Sequence, residues 1–235
     1  MFYPMYFDPT YLLVLIGVVI CMIASARVNA AYARYDRVRN HAGITGAMAA
    51  EQILRQAGIY DVQVQHVSGK LTDHYDPVQK VLRLSDTTYG SVSVAALGVA
   101  AHECGHAIQH ATHYVPLNIR GALVPVANFG SSISWPLVLI GLFMNGQMSV
   151  FLIKLGILLF TAAVLFQIVT LPVEFNASSR ALRILRDTGM LYENEVHQAR
   201  SVLRAAALTY VAGAASAILQ LVRLLILTGG RRNDD

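Results

Sequence analysis

The sequence is poor in charge and in cysteine, and both shortages limit what the protein can be. Charged residues make up 14% of its 235 residues, whereas hydrophobic residues make up 55% and the mean hydropathy is +0.48. A net charge of +4 that is spread so thinly argues against nucleic acid as a partner, and the apolar excess predicts an integral membrane protein. Cys21 and Cys104 provide no disulfide framework and imply no oxidising compartment.

The most informative feature that is present is an H-E-x-x-H motif in Val99-Ala-Ala-His-Glu-Cys-Gly-His-Ala-Ile-Gln-His110. The apolar run before it contains no proline, so we predict a buried helix that carries both histidines. On that helix His102 and His106 lie roughly 6 Å apart on one face and can bind one zinc ion. Glu103 can reach a water held by the metal without binding the metal itself. The alternative is a pair of hydrogen-bonded core histidines with a paired glutamate.

A catalytic zinc needs a third protein ligand, and the first possible source is the same helix. In the extended form of the motif a histidine follows six residues after the second one, but here Thr112 holds that position and Gln109 holds the glycine position. His110 is about 12 Å from His102 on a straight helix, which is too far for a shared metal. We therefore interpret His110 and His113 as polar groups at the end of the helix.

The second possible source is a carboxylate from a later helix. Glu174 lies in Leu171-Pro-Val-Glu-Phe-Asn-Ala-Ser-Ser-Arg180, directly after a long apolar run. The proline just before Glu174 predicts that a helix begins here and continues to Arg186. Glu174 could be only a charge at the start of that helix. The unfilled zinc position favours its assignment as the third ligand.

Apolar runs and basic residues predict how the chain crosses the membrane. The run 10–26 precedes several arginines, so we predict an uncleaved anchor whose basic end is cytoplasmic. The runs 122–145 and 149–171 are joined by a very short loop and predict a transmembrane hairpin. The run 205–228 contains Arg223, and we favour a fourth crossing over a helix packed on the catalytic domain.

The predicted organisation alternates between membrane and cytoplasmic segments. The segments are a transmembrane anchor (1–26), a cytoplasmic-side metalloprotease domain (27–121), a transmembrane hairpin (122–171), a second catalytic part with the third ligand (172–204), a fourth transmembrane helix (205–228) and a polar tail (229–235). Within the first catalytic part we predict a helix over 46–57, a strand over 62–67 and two strands around the Asp76-Pro77 turn. A strand pair before a zinc helix offers an edge to which an extended peptide can add.

Three stretches of the chain resemble the YugP-type neutral zinc metallopeptidases, a family of bacterial membrane proteins. They are Leu71-Thr-Asp-His-Tyr-Asp-Pro77, the segment from Ser93 to His110, and the Glu174 segment quoted above. A looser similarity is to the HtpX-type membrane proteases. The resemblance implies a mainly α-helical integral membrane protein with a gluzincin-like zinc helix, a small β-hairpin or sheet, and three to four transmembrane helices. It implies that zinc is bound by His102, His106 and Glu174, with Glu103 as the general base.

One position departs from the HtpX pattern, because Ser178 stands where those relatives carry an aspartate. Asn176 or Asp73 could take over the role of that acid beside the zinc ligands. A peptidase also needs a second donor for the oxyanion that develops during the reaction. The candidates are His74, Arg180 and Tyr210, although these could instead brace a turn, pair with lipid phosphates and anchor at the membrane interface, respectively.

The sequence therefore predicts an integral-membrane zinc endopeptidase that cleaves membrane or membrane-proximal proteins, in membrane protein quality control. We expect a multi-pass protein of the bacterial inner membrane with its site on the cytoplasmic side. Its expected partners are the lipid bilayer and polypeptide substrates, with no nucleic acid. One alternative is a catalytically silent scaffold with a structural metal, which would need four protein ligands where three can be named. A transporter is disfavoured because the zinc helix lies between the spans.

Overall fold

The fold is mainly α-helical with one small sheet, as predicted, and the computed structural model describes residues 8–229. The beginning of the predicted anchor (1–7) and most of the predicted polar tail (230–235) lie outside the described residues. The elements in chain order are α1 (Tyr11–Tyr35), α2 (Gly46–Gln56), β1 (Gln63–Val67), β2 (His74–Asp76), β3 (Val81–Ser85), α3 (Val94–Ala111), α4 (Val115–Phe143), α5 (Gln147–Asp187) and α6 (Glu193–Gly229).

Four of the helices within residues 8–229 are long and apolar enough to cross a membrane, namely α1, α4, α5 and α6. This number is the upper end of the three to four transmembrane helices that were predicted. The described residues divide into two compact units. The α4 unit comprises 8–23, 120–169 and 210–229, and the α3 unit comprises 24–119 and 170–209.

Small residues allow the helices of the α4 unit to approach one another closely. A Cβ atom on Gly130 would lie 2.7 Å from the carbonyl oxygen of Leu159, and one on Gly156 would lie 2.8 Å from that of Ser134. Both distances are shorter than real Cβ contacts, so α4 and α5 pack backbone against backbone here. Such packing of small residues is typical of helices in membranes, where burial of apolar surface provides little driving force.

Arg223, the charged residue in the last apolar run, is buried within the α4 unit. Its guanidinium group donates to the hydroxyl of Thr10 at 3.2 Å and lies 3.5 Å from the carboxylate of Asp8. The same group lies over the ring of Tyr11, 4.2 Å from its centroid. These partners compensate the charge of an arginine in the apolar run 205–228 of α6.

The helix that was predicted to begin near Glu174 does not begin there. α5 runs without a break over 41 residues, and both Pro172 and Glu174 lie inside it. Proline removes one backbone donor from a helix, but long apolar helices tolerate this because neighbouring groups satisfy the carbonyl that is left. The prediction from Pro172 was therefore wrong, and Glu174 lies on the continuation of the helix that contains the preceding apolar run.

The sheet belongs to the α3 unit and has the strand order β1-β3-β2. β2 and β3 form the predicted hairpin, with antiparallel pairing from His74↔Arg83 to Asp76↔Val81. The carboxylate of Asp76 accepts bonds from the backbone N–H groups of Val78 and Gln79, which holds the turn. β1 pairs with β3 in parallel, which the sequence did not predict. β2 is thus an edge strand of this sheet.

Candidate metal centre

The motif helix α3 is buried as predicted, and its first turn is fixed by a serine cap. The hydroxyl of Ser93 accepts a bond from the backbone N–H of Ala96 at 3.1 Å and donates to the carboxylate of Asp36. The residues of the first turn, from Val94 to Leu97, are inaccessible to solvent. The apolar half of α3 therefore anchors the helix in the core and holds the motif in a defined position.

Three side chains with metal-binding atoms meet at one point of the α3 unit. The ligand atoms of His102, His106 and Glu174 all lie within 4.8 Å of one another. Nε2 of His102 is 3.2 Å from Oε2 of Glu174, and Nε2 of His106 is 3.6 Å from the same oxygen. Two imidazoles and one carboxylate form a donor set of catalytic zinc sites, which keep the fourth position open. The residues present therefore fit a zinc ion.

The two helices can bring these ligands together because the motif contains a glycine. A Cβ atom on Gly105 would lie 2.7 Å from the carbonyl oxygen of Ala177 and 3.1 Å from its Cα atom. α3 and α5 therefore touch through their backbones at this point. Ala177 lies about one turn after Glu174 on α5, so the close contact sets the distance from the carboxylate to the two imidazoles.

The second nitrogen of each imidazole is held by a neighbouring polar group. Nδ1 of His102 lies 3.1 Å from the hydroxyl oxygen of Ser178, and Nδ1 of His106 lies 3.0 Å from Oε1 of Gln109. With a proton on Nδ1, each ring donates to its neighbour and keeps the lone pair on Nε2 for a metal. The rings are thus oriented with Nε2 toward Glu174.

Gln109 is itself fixed by a network that crosses to α5. Its Nε2 donates to the carbonyl oxygen of Val173 at 2.8 Å and to Oδ1 of Asn176 at 3.0 Å. Oδ1 of Asn176 also accepts a bond from Nε of Arg180 at 2.8 Å. Because its amide nitrogen is used as a donor, the oxygen of Gln109 faces His106 as an acceptor. The fully buried Gln109 thus links the second histidine to the helix of the third ligand.

The charges around His106 favour a positively charged partner at this point. Burial lowers the pKa of His106, but the interactions with Glu174 and the negative charge of Glu103 raise it more, so that this pKa lies above its usual value. A proton then competes with a metal ion for the imidazole, and metal binding releases that proton. Glu103 follows His102 on α3 and is itself buried, with 8% of its surface exposed.

Cys104 lies within the motif but belongs to the core. Its Sγ is 3.6 Å from the carbonyl oxygen of Ala50 on α2, and the residue is fully buried. Burial, followed by the charge of Glu103, raises the pKa of the thiol well above its usual value, so the sulfur stays protonated. A protonated thiol that faces α2 is not a metal ligand.

The other residues singled out in the sequence lie in different surroundings. Nδ1 of His74 is 2.8 Å from the backbone oxygen of Thr72, in the turn before β2. The carboxylate of Asp73 accepts bonds from the backbone and the hydroxyl of Ser85, which places Asp73 in the sheet. Tyr210 lies on α6, where the α4 unit resumes.

The role of Gln109 in orienting the ring of His106 was not predicted from the sequence. There, Gln109 was noted only as a departure from the extended motif. The available signal was its position three residues after His106, where a helix places side chains on the same face. Ser178 was noted only as a departure from the expected aspartate. In the structure its hydroxyl lies beside Nδ1 of His102, where a hydrogen-bonding group orients the ring.

Comparisons with known proteins assign the sequence to a family. A family model described as "Putative neutral zinc metallopeptidase" matches residues 10–229. The chain belongs to this family. It is also 46% identical over 209 residues to the "Putative membrane protease YugP" of Bacillus subtilis (strain 168), which covers 88% of this chain and 92% of that protein. No solved structure matches this neutral zinc metallopeptidase family member.

The family assignment confirms the resemblance that the three sequence stretches indicated. The description of the family supports zinc as the metal of the site formed by His102, His106 and Glu174. The name of the relative and the four long apolar helices support a location in a membrane. At this level the chain is a membrane-associated member of a zinc metallopeptidase family.

Proposed function

We propose that the protein is an integral-membrane zinc endopeptidase in which His102, His106 and Glu174 bind the metal and Glu103 is the general base. The observation that carries the proposal is the convergence of three ligand atoms within 4.8 Å, from two helices that are far apart in sequence. A zinc ion bound there supplies a Lewis acid for the substrate carbonyl and lowers the pKa of water.

The remaining chemistry belongs to the side chains of the protein. Glu103 takes the proton of the attacking water and passes it to the amine that leaves. Burial of its carboxylate keeps bulk water from competing for that proton. Gln109 and Ser178 hold the imidazoles, so that Nε2 of each ring needs no reorientation when the metal binds.

The developing oxyanion requires a further donor, for which the sequence suggested His74, Arg180 and Tyr210. Arg180 is the one with a described connection to the ligands, because it bonds to Asn176, which bonds to Gln109. We assign Arg180 a positioning role in this chain of bonds. His74 and Tyr210 stay candidates for the oxyanion donor.

The proposed substrates are membrane or membrane-proximal polypeptides, and the proposed role is quality control of membrane proteins. Two features support this choice. β2 is the edge strand of the sheet formed within residues 8–229, and its outer edge offers backbone groups to which an extended peptide can add. The apolar helices would hold the enzyme in the same membrane as such substrates.

The decisive test compares Glu103→Gln with the matched control Glu51→Gln, which changes an exposed glutamate of α2. The purified full-length proteins are assayed for zinc content by mass spectrometry and for cleavage of unfolded polypeptides, with and without a chelator. We expect Glu103→Gln to bind zinc and to lose cleavage by at least a factor of about 100. The control should behave as the unsubstituted protein. Full cleavage by the Glu103→Gln protein would reject the proposed base.

The proposed cytoplasmic location of the site has its own test. Val78, at the tip of the β2–β3 hairpin, and Phe143, at the end of α4, are 91% and 88% exposed. Each is replaced by cysteine in a Cys21→Ser background and treated with a thiol reagent that does not cross membranes. We expect labelling of Val78→Cys only in inverted vesicles and of Phe143→Cys only in intact cells. The reverse pattern would place the site on the outer side.

The catalytically silent scaffold makes a different prediction about the metal. A structural zinc has four protein ligands and no open position. The metal-binding group found among the described residues contains three. A bound zinc ion that shows four protein ligands by X-ray absorption would favour the scaffold over the endopeptidase.

A further inference from the structure

A cavity of about 270 Å³ lies beside the C-terminal part of α3, within the α3 unit. The helix contributes Ala107, His110 and Ala111 to its wall. Tyr75 of β2 lines it as well, together with Val62 just before β1. The cavity therefore lies between the motif helix and the sheet.

Most of the accessible lining of the cavity is apolar, but four lining residues are charged or carry an imidazole, namely Asp61, Lys80, His110 and His113. Asp61 and Lys80 form an ion pair with each other. Ile59 and Val62 contribute aliphatic surface, and Ala107 and Ala111 add methyl groups. The hydroxyl of Tyr75 and Nδ1 of His110 are joined by a hydrogen bond of 2.8 Å. Such a lining favours an apolar group over a charged one. The volume is below the roughly 300–1,000 Å³ of pockets for whole small molecules, and it suits a single large side chain.

The cavity begins close to the proposed catalytic residues. Ala107 directly follows His106 and lies one helical turn after Glu103, on the same side of α3. Residues four apart on a helix have Cβ atoms roughly 6 Å from each other. A peptide side chain that occupies this cavity would therefore belong to a residue close to the cleaved bond.

The edge strand β2 connects the cavity to an extended peptide. Tyr75 packs against the buried core of the α3 unit, whereas its neighbour His74 is exposed, so the side chain of Tyr75 lies on the α3 face of the sheet. A peptide that pairs with β2 would place every second side chain on that same face. One of these side chains would reach the cavity.

We propose that this cavity is a substrate subsite that takes one aromatic or large aliphatic side chain near the cleaved bond. The inference rests on the proposed peptidase function and adds the class of substrate residue that the site selects. Ala111 is the position at which the cavity can be filled without disturbing the core. It is exposed at the end of α3, whereas Ala107 is buried.

The test is the variant Ala111→Phe, with Ala42→Phe as the matched control at an exposed alanine that does not line the cavity. Full-length zinc-loaded proteins cleave a peptide series in which each position in turn is phenylalanine or glycine. For the unsubstituted protein we expect one position at which phenylalanine gives the higher kcat/KM. Ala111→Phe should lower that phenylalanine-to-glycine ratio by about tenfold or more, and Ala42→Phe should leave it unchanged.

A binding measurement separates failure of this inference from failure of the proposed function. The phenylalanine and glycine peptides are titrated into the Glu103→Gln protein with and without Ala111→Phe. We expect the phenylalanine peptide to bind more tightly than the glycine peptide to the Glu103→Gln protein, and this difference to disappear when Ala111→Phe fills the cavity. If the unsubstituted enzyme cleaves peptides but Ala111→Phe changes neither the phenylalanine-to-glycine ratio of kcat/KM nor that of binding affinity, the subsite is rejected and the peptidase stands. If nothing is cleaved but the cavity-dependent preference persists in binding, the peptidase is rejected, and with it the substrate role of the cavity, which is then only a binding site for a peptide side chain.

Discussion

Replacing Gly105 by alanine should weaken zinc binding, although alanine is the better helix former. The new Cβ atom would lie 2.7 Å from the carbonyl oxygen of Ala177. The contact is with backbone, so no side chain can rotate away. α3 and α5 would have to separate by roughly 0.7 Å to restore an ordinary contact. That displacement exceeds the tolerance of about 0.2 Å on zinc–ligand distances, and it moves Glu174 away from the imidazoles.

The matched control on the same helix is Gly98→Ala. A Cβ atom on Gly98 would meet Cβ of Ala199 at 3.4 Å, which is an ordinary contact. Both substitutions gain about 0.5–1 kcal/mol of helix propensity. Only Gly105→Ala adds overpacking, which costs about 1–3 kcal/mol. We therefore expect its free energy of unfolding to fall below that of Gly98→Ala by about that amount.

The assay is zinc affinity, measured by competition with a chelator of known affinity, beside thermal unfolding of the metal-free proteins. We expect Gly105→Ala to raise the Kd for zinc by about tenfold or more, and Gly98→Ala to leave it within about twofold. Equal zinc affinity in the two variants would show that the contact between Gly105 and Ala177 does not set the position of Glu174.

Substitutions at three further positions address the groups around the ligands. Gln109→Leu removes the acceptor for His106, and titration should show an increase of about 10–100-fold in the Kd for zinc. Ser178→Ala should weaken zinc binding several-fold, whereas Ser178→Asp should strengthen it, because a carboxylate accepts the bond from His102 more strongly; the opposite order would contradict the assigned contact. Cys104→Ala should keep zinc content and cleavage, with a loss of about 1 kcal/mol in denaturant unfolding; loss of the metal would make the thiol a ligand.

The parts of the fold that depend on local pattern could be predicted from the sequence. The buried motif helix followed from its apolar run, and the β2–β3 hairpin followed from the turn at Asp76. The parallel pairing of β1 with β3 could not be read from local pattern, because its register depends on contacts between separate segments. The prediction that a new helix begins at Pro172 was wrong because a long apolar helix tolerates proline in its interior.

In the candidate site, too, local sequence pattern predicted some features, whereas others depend on contacts between distant segments. The two histidines and Glu103 share one turn of helix, so their spacing alone indicated the chemistry. Glu174 was predicted as a ligand because a zinc ion needs a third protein ligand and because the family resemblance implied it, whereas the prediction that a helix begins beside it was wrong. The contact between Ser178 and His102 joins residues 76 positions apart in the sequence, and no periodicity indicates it.

The groups that bond to Nδ1 of the two imidazoles are uncharged. This affects both how tightly the site would bind zinc and how strong a Lewis acid the bound ion would be. Carboxylates in those places would push electron density through the rings and neutralise part of the ionic charge. The amide oxygen of Gln109 and the hydroxyl of Ser178 donate less electron density and neutralise less of the charge than carboxylates would. A zinc ion bound there would therefore be held less firmly and would stay more electrophilic than one backed by carboxylates. Occupancy, and with it turnover, would follow the zinc supply of the compartment that the site faces.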